Sequence, residues 1–438
     1  MHRHVTVTEY GCIGLKGKPA DNKFISAEID DENVFKALKS FNADNDDSIF
    51  TVTSVKAESG KRIDALRAKS LVGVIETKDG TVVEILPKIY SDKQVETTEI
   101  RKIFLRMLRF LRDSPFKDID VAHLRTEKFP ILEIFITIFL DELSKLIQKG
   151  IAKEYVNIED NASFLKGKLL FTQHIKYNLA HKERFFVSYD EFLSDRPENR
   201  LIKSTLLFLS KKAKSNANQK RIREFIFTFD DIPASADCDV DFSKVKMTRL
   251  IKHYEKILTW CRVFLKKESF TNFKGKAISF AILFPMEKIF EDYVGAIFKR
   301  GNTSMTVSLQ QSRYNLIEDH GGNPKFKLRP DITAKSKEEK VIILDTKWKL
   351  IDQGMSDKNY YISQDDIYQM FAYAEKYDSE ELYLLYPQNE EFKDKLPVFE
   401  YYKNKRMTLH VCPVPLRLLA FDTDEAICKE MHLDCLRK

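Results

Sequence analysis

The sequence has few cysteines, and none of them is arranged as in a disulfide-rich or zinc-ribbon protein. Six Cys occur in 438 residues, and no two form a Cys-x-x-Cys pair. Such scattered cysteines exclude a disulfide framework and fit a reducing compartment, so we expect a cytoplasmic protein. Cys428, His432 and Cys435 lie close together, but a zinc site would need a fourth ligand and the usual spacing. We therefore interpret them as ordinary helix-face residues.

Long apolar runs and nucleotide-binding motifs are missing as well. The N-terminus lacks the apolar segment of a secretory signal. The most apolar long stretch, residues 131–140, carries Glu133 and is far shorter than the roughly 20 residues that cross a bilayer, so we expect no membrane contact. No Walker motif occurs, so we expect no nucleotide site on this chain.

Charge is nearly balanced in total but unevenly distributed. The 72 Lys and Arg residues oppose 66 Asp and Glu residues, which gives a net charge of +6. Residues 201–350 hold 29 basic and 17 acidic side chains, whereas residues 351–400 hold 4 and 12. A basic stretch suits phosphate contacts that carry no sequence information. The near-neutral total does not by itself imply nucleic acid.

The hydrophobic pattern predicts a multidomain α+β protein with three regions. Residues 1–95 alternate with a period of two and place Asp79-Gly80 between apolar runs, which is a hairpin signal, so we expect a β-rich N-terminal domain. Residues 96–268 follow a helical period and predict a mainly helical middle region. Residues 269–438 alternate between helix and strand patterns, which predicts a C-terminal α/β domain.

Two acids and a lysine lie at the ends of neighbouring predicted strands in this last region. We place Asp331 on one strand, and the apolar strand that follows a polar turn ends with Asp345 and Lys347. Because side chains alternate along a strand, Asp345 and Lys347 should share a face. Charges on so apolar a strand need partners. A plain hairpin with a salt bridge between Asp345 and Lys347 is the alternative to catalysis.

A divalent cation would be a suitable partner for these acids. Two carboxylates on adjacent strands offer hard oxygen ligands for Mg²⁺, with positions left for water and phosphate. Such an ion polarises a phosphate and lowers the pKa of a bound water. Lys347 could orient or help deprotonate the attacking water and offset charge on the phosphate. The pattern therefore predicts Mg²⁺-dependent phosphodiester hydrolysis, with Asp331 and Asp345 as metal ligands.

The predicted helices on either side of the motif carry further polar candidates. Glu287 and Glu291 are spaced i and i+4 upstream, on one helix face, and either could supply a third carboxylate. Gln369 and Tyr373 have the same spacing downstream. We expect Gln369 to contribute to the site and Tyr373 to pack in the core.

The arrangement resembles the PD-(D/E)xK nuclease superfamily, with Asp331, Asp345 and Lys347 at its signature positions. A second resemblance, to the McrC family of nuclease subunits in McrBC-type modification-dependent restriction systems, covers roughly residues 70–387. It rests on segments 73–89 (GVIETKDGTVVEILPKI), 165–171 (LKGKLLF), 195–203 (DRPENRLIK) and 285–295 (PMEKIFEDYVG). These resemblances imply a restriction-endonuclease-like fold for residues 269–438, Glu291 as a further metal ligand, and Gln369 as a catalytic-site residue.

The McrC resemblance also implies partners. It predicts a DNA endonuclease subunit that stimulates a McrB-like AAA+ GTPase ring, contacts that ring through its N-terminal part, and cuts modified double-stranded DNA. The first 70 residues match the family pattern poorly, so the target need not be methylcytosine DNA. Two alternatives stay open: a nuclease-fold adaptor that activates the GTPase without cutting, and a stand-alone RecB-like nuclease that acts on DNA ends.

Overall fold

The computed structural model describes residues 4–16, 25–43, 49–56, 62–89, 96–112, 115–116, 129–265, 278–302, 304–401 and 407–416. Cys428, His432 and Cys435 lie outside these ranges. The chain divides into two compact units: unit 1 combines Met1–Ile131 with Ser269–Lys438, and unit 2 is Leu132–Glu268. Within the described ranges, no helix has the length and apolar character needed to cross a membrane. The predicted mixture of α and β structure in more than one domain is confirmed.

The first half of unit 1 is rich in β structure. Its described elements are β1 (His4–Thr8), β2 (Cys12–Leu15), β3 (Ala27–Ile29), α1 (Glu32–Ala43), β4 (Phe50–Lys56), β5 (Arg62–Ala68), β6 (Leu71–Thr77), β7 (Val82–Leu86) and α2 (Thr97–Leu108). Four strands form a sheet in the order β3-β2-β5-β4. β6 and β7 pair antiparallel around Gly80, whose φ of 84° suits a tight turn, so the predicted hairpin is confirmed.

Unit 2 is mainly helical and includes a small antiparallel sheet. Its elements are α3 (Ile131–Lys149), β8 (Glu154–Ala162), β9 (Lys168–Leu169), α4 (Phe171–Asn178), β10 (Phe185–Leu193), α5 (Pro197–Ser210), α6 (Asn216–Thr228), α7 (Cys238–Lys244) and α8 (Glu255–Leu265), with a 3₁₀ helix at Arg249–Tyr254. β10 pairs with both β8 and β9. The buried side chain of Asn199, in the first turn of α5, donates to the carbonyl oxygens of Ala152 (2.9 Å) and Ser194 (2.7 Å), which anchors the start of the helix.

The second half of unit 1 contains the acid and lysine motif. Its described elements are β11 (Ile278–Pro285), α9 (Met286–Gly301), β12 (Thr306–Leu309), β13 (Asn315–His320), β14 (Asn323–Lys327), β15 (Ile332–Lys335), β16 (Val341–Thr346), α10 (Gln364–Tyr377), β17 (Glu381–Pro387), β18 (Phe399–Glu400) and β19 (Thr408–Val414), with a 3₁₀ segment at Ser356–Tyr361. Six strands form a sheet in the order β12-β15-β16-β17-β19-β18. β16 and β17 are parallel, and α10 provides the crossover that parallel neighbours require.

The central strand β16 is buried along nearly its whole length, which explains its apolar sequence. Ile343 packs with Met370 and Ala374 of α10 in one hydrophobic cluster. Asp345 is two residues further along β16, so its side chain shares the face of Ile343 and points towards α10. The alternation of the strand therefore directs one acid of the motif at the helix that carries Gln369.

The structure groups the chain differently from the three predicted regions. β11, which we assigned to the C-terminal domain, pairs antiparallel with β6 and completes a sheet in the order β1-β7-β6-β11. Gly73 permits this pairing, because a Cβ at its φ of 140° would collide with the carbonyl oxygen of Ile282. α2, which we assigned to the middle region, also lies in unit 1, where Arg101 forms hydrogen bonds of 3.0 and 2.6 Å with the buried Glu84. Local hydrophobic periods predict element types but carry no information about such distant partners.

Candidate active site

Asp331 and Asp345 lie at the same end of two paired strands. β15 and β16 are antiparallel, with Ile332 opposite Leu344, so the residues that flank this pair come together. Asp331 directly precedes β15, one residue outside the strand on which we predicted it. Its Oδ2 atom accepts hydrogen bonds from the backbone N–H (2.8 Å) and the hydroxyl (2.7 Å) of Thr346. These bonds fix the first acid against the strand that carries the second.

Lys347 lies between Asp345 and Gln369. Its ammonium group donates to Oδ2 of Asp345 and to Oε1 of Gln369, the latter at 2.9 Å. The predicted common face of Asp345 and Lys347 is therefore confirmed. The backbone N–H of Lys347 donates to the carbonyl oxygen of Leu385 at 2.9 Å, which extends the pairing with β17 beyond the end of β16. The lysine is thus held by both its backbone and its side chain.

Burial and the neighbouring charges shift the pKa of both groups. Asp345 is 2 % exposed, and its burial together with the charge of Asp331 raises its pKa well above the usual range, although Lys347 opposes the shift. Burial alone would lower the pKa of Lys347. The charges of Asp345, Asp366 and Asp331 outweigh that effect and raise it. The site therefore combines a lysine whose charged form is favoured with carboxylates that destabilise one another's charge.

Gln369 connects the lysine to the loop before Asp331. Its amide donates to the hydroxyl of Tyr373 (2.8 Å), which in turn donates to the carbonyl oxygen of Arg329 (3.2 Å). Sequence reasoning assigned Tyr373 to the core only; its ring is buried, but its hydroxyl belongs to this hydrogen-bond chain. We missed Asp366, whose carboxylate lies 4.0 Å from the Lys347 ammonium. Its position three residues before Gln369, on the same face of α10, was a usable signal.

Glu291, and not Glu287, is the helix carboxylate that lies near Asp331. Its pKa is raised by burial and by the charge of Asp331. Glu287 is exposed, and its charge acts on Glu9 and Tyr10 instead. One turn of α9 separates the two glutamates, and that turn decides which of them faces the motif.

Gln310, which no sequence pattern marked, holds Glu291 in place. The side-chain amide of Gln310 donates to Oε1 of Glu291, and its carbonyl oxygen accepts a hydrogen bond from Arg329. The backbone N–H of Gln310 also donates to the carbonyl oxygen of Asp331 at 2.8 Å. Gln310 follows β12 without any regular pattern, so no local signal marked it. Lys288 adds a cation 3.5 Å from Glu291.

The carboxylates fit a hard cation that keeps part of its water shell. Within the described residues, no three His, Cys, Asp or Glu side chains are placed to enclose a metal ion. The hydrogen bonds to Asp331 and Asp345 all end on Oδ2, so in this part of the chain Oδ1 of each accepts none. Mg²⁺ is commonly bound through one or two carboxylates plus water and phosphate oxygens. Two repelling carboxylates, each with an unused oxygen, are a suitable donor set for it.

Comparison with known proteins places this arrangement in a family. The model of the family described as "McrBC 5-methylcytosine restriction system component" matches residues 66–387, and no curated protein matches the chain. A chain of the Thermococcus gammatolerans half-complex of McrB AAA+ hexamers with bound McrC is similar in fold, with a TM-score of 0.73 and 19 % identity over 99 % of this chain and 100 % of that one. The McrBC complex of the same organism gives a TM-score of 0.51 and 21 % identity over 68 % and 88 %.

The family match covers more than half of the sequence and includes every residue of the candidate site. It runs from within β5 to the end of β17, and therefore covers parts of both halves of unit 1 and all of unit 2. The resemblance noted from the sequence is thus confirmed. This chain belongs to the family of McrBC 5-methylcytosine restriction system components.

Proposed function

We propose that this protein is the Mg²⁺-dependent DNA endonuclease subunit of a McrBC-like restriction system. The observation that carries the proposal is the placement of Lys347 between Asp345 and Gln369, with Asp331 fixed beside them by Thr346. These groups lie at the ends of adjacent strands of a mixed sheet and match the PD-(D/E)xK pattern. A restriction-endonuclease-like fold for the second half of unit 1 is part of the proposal.

Asp331 and Asp345 would hold the metal. A bound Mg²⁺ would polarise the scissile phosphate and make a coordinated water more acidic. Lys347, whose ammonium lies beside Asp345, would donate to the phosphate oxygens and orient the attacking water. Gln369 orients that ammonium through its Oε1 atom. The charge of Asp331 acts on Glu291, so Glu291 would add negative charge at the edge of the site without enclosing the ion.

We propose a McrB-like AAA+ GTPase ring as the partner and modified double-stranded DNA as the substrate. The Thermococcus gammatolerans assembly consists of McrB AAA+ hexamers with bound McrC. The present sequence contains no Walker motif, so nucleotide hydrolysis must come from another chain. The family membership and this division of chemistry support a nuclease subunit that is activated by, and stimulates, a nucleotide-driven ring.

Replacing Asp345 by Asn tests the proposal. Asp345→Asn keeps the shape of the side chain but removes the charge, so cleavage of modified duplex DNA with the partner ring, GTP and Mg²⁺ should fall by a factor of about 10² or more. Asp357→Asn is the matched control, because Asp357 is exposed in the 3₁₀ segment. Both variants should stimulate the partner's GTPase like the wild type.

Two outcomes would contradict the proposal. Cleavage by Asp345→Asn at the wild-type rate would place the chemistry elsewhere. Stimulation of the GTPase by the wild-type chain without DNA cleavage, whichever divalent metal is supplied, would identify an adaptor with an inactive nuclease fold.

A further inference from the structure

The two-stranded hairpin β13–β14 directly precedes the candidate site in the chain, and the proposed function assigns it no role. β13 and β14 pair only with each other, and nearly all of their side chains are exposed. Gly321 and Gly322 form the turn, and a Cβ added at either would meet no atom within 4 Å. β14 ends four residues before Asp331, which corresponds to about 13 Å of extended chain. The hairpin therefore projects into solvent within reach of the motif.

The base of the hairpin is firmly anchored. The backbone N–H of Leu328 donates to the carbonyl oxygen of Tyr314 at 2.9 Å, and Leu328 belongs to the core cluster under α10. The rings of Tyr314 and Tyr377 pack edge to face with centroids 4.7 Å apart. Lys376 of α10 also bonds Glu318 at 2.8 Å. The helix that orients Lys347 through Gln369 thus also fixes the direction of the hairpin.

The second strand of the hairpin carries two free cations. Lys325 and Lys327 are opposite Ile317 and Asn315 in the register, so both lysines lie on one face of the ribbon. Both are exposed, and neither ammonium has an ion-pair or hydrogen-bond partner within the described ranges. Of the two acids on β13, Glu318 pairs with Lys376 and Asp319 accepts the backbone N–H of Gly322, so neither pairs with these lysines in the described part of the chain.

Phe326, between these lysines, is exposed and has an unfavourable backbone conformation. Its side chain is 74 % accessible to solvent, and its φ of 57° places a bulky residue in the left-handed region. An aromatic side chain gains no packing energy in that position, and the conformation is one that such residues rarely adopt. Strain of this kind is typical of functional positions. Folding alone gives no reason for Phe at this site.

We propose that the β13–β14 hairpin is the element that binds duplex DNA next to the cut site, and this inference rests on the proposed nuclease function. The major groove is about 12 Å wide and admits a two-stranded β-ribbon. Lys325 and Lys327 contact phosphates of the duplex, and Phe326 packs against the groove. Contacts of this type fix the position of the duplex without reading its sequence. They hold a phosphate of the bound duplex at Asp331 and Asp345.

The test measures binding of a 30-base-pair duplex to the full chain by fluorescence anisotropy, over a series of salt concentrations and with a chelator present. Lys325→Gln with Lys327→Gln removes two phosphate contacts. The slope of log affinity against log salt should become shallower by about 1.8, and affinity at 0.1 M salt should fall by roughly 10- to 60-fold. The matched control is Lys337→Gln with Lys340→Gln, an equal charge change at the exposed turn between β15 and β16, at the far end of these strands. It should bind like the wild type.

A second variant separates binding from folding. Phe326→Gly removes the ring and suits the positive φ, so the midpoint of thermal unfolding should stay equal or rise while DNA affinity falls. A clear drop in that midpoint would mean that Phe326 serves the fold, which overturns its assigned role.

Three binding results would overturn the proposal as a whole. They are wild-type affinity in the Lys325/Lys327 variant, the same loss of affinity in that variant and in the control, and no binding of duplex by the wild type at low salt. Loss of partner-ring binding or of self-association in the hairpin variant, with DNA affinity unchanged, would assign the hairpin to that other occupant. Because the assay excludes divalent metal, it does not depend on cleavage. Hairpin-dependent binding without DNA cleavage by the wild-type chain and its partner, whichever divalent metal is supplied, would refute the proposed nuclease function alone.

Discussion

Replacing Glu9 by Gln should make the stability of the protein less dependent on pH between about 5 and 8. Glu9 follows β1 and is fully buried in unit 1. Its Oε2 atom accepts hydrogen bonds from the backbone N–H of Lys88 (3.0 Å) and from the indole N–H of Trp348 (2.9 Å), whereas Oε1 has no partner in the described part of the chain. Because both bonds end on one oxygen, the amide oxygen of a glutamine can accept both. The substitution therefore removes the ionisation and keeps the hydrogen bonds.

The size of the effect follows from the pKa of Glu9. Burial raises that pKa from 4.5 to about 8, against the lowering effect of the two hydrogen bonds. Between pH 4.5 and 8 the folded wild type holds a proton that the unfolded chain has lost, so its free energy of unfolding falls as the pH rises. At about 1.4 kcal/mol per pH unit, the wild type should lose roughly 3–4 kcal/mol relative to Glu9→Gln between pH 5 and pH 8.

Urea denaturation of both proteins at pH 5, 6, 7, 8 and 9 measures this difference. All other titrating groups are shared, so they cancel when the free energies of unfolding are subtracted at each pH. The buried amide N–H₂ of the variant lacks a partner, which lowers its stability by about the same amount at every pH. The diagnostic quantity is therefore the slope of the difference, and its sign favours the variant as pH rises. Parallel curves from pH 5 to 9 would refute a protonated Glu9 at neutral pH.

Three further predictions, each measured by urea denaturation, test the packing inside each unit. Gly73→Ala should destabilise the protein by about 1–3 kcal/mol, because the added Cβ collides with β11. Gly150→Ala, also at positive φ but in open space, is the control and should cost less. Equal losses of stability in both variants would mean that φ alone matters. Arg101→Met removes the guanidinium that pairs with the buried Glu84, which keeps the hydrogen bonds from Thr6 and from the backbone N–H of Ile131. The change should cost about 3–5 kcal/mol, most of which a second change, Glu84→Gln, should restore. Tyr254→Phe removes two hydrogen bonds of its hydroxyl, of 2.7 and 2.9 Å, and should cost about 1–3 kcal/mol; an unchanged midpoint would contradict their role.

The core of the candidate site could be predicted from the sequence because its geometry is local. Asp345 and Lys347 share a face through strand alternation alone, and Asp331 comes close to them through a short hairpin between paired strands. Gln369 was identified through the family pattern and helix position. Each inference needed only a strand or helix period and one short connection.

The supporting residues could not be found in the same way. Gln310 reaches Glu291 from a segment without a regular period, and its role depends on where β12 ends relative to α9. The hydrogen bond from Trp348 to Glu9 joins residues 339 positions apart. Pairings of this kind depend on the complete tertiary structure, because many distant segments share the same local hydrophobic pattern.

The pairing of β6 with β11 has a consequence for synthesis on the ribosome. β6 ends at Thr77, and its partner strand begins only at Ile278, about 200 residues later. At translation rates of about 5–20 residues per second, one edge of β6, which is fully buried in the folded protein, stays unpaired for roughly 10–40 seconds. Unit 2 is continuous in sequence and lies within that interval, so it can complete its own contacts first. The nascent chain thus exposes an apolar strand edge to the cell, and chaperones have that interval in which to protect it.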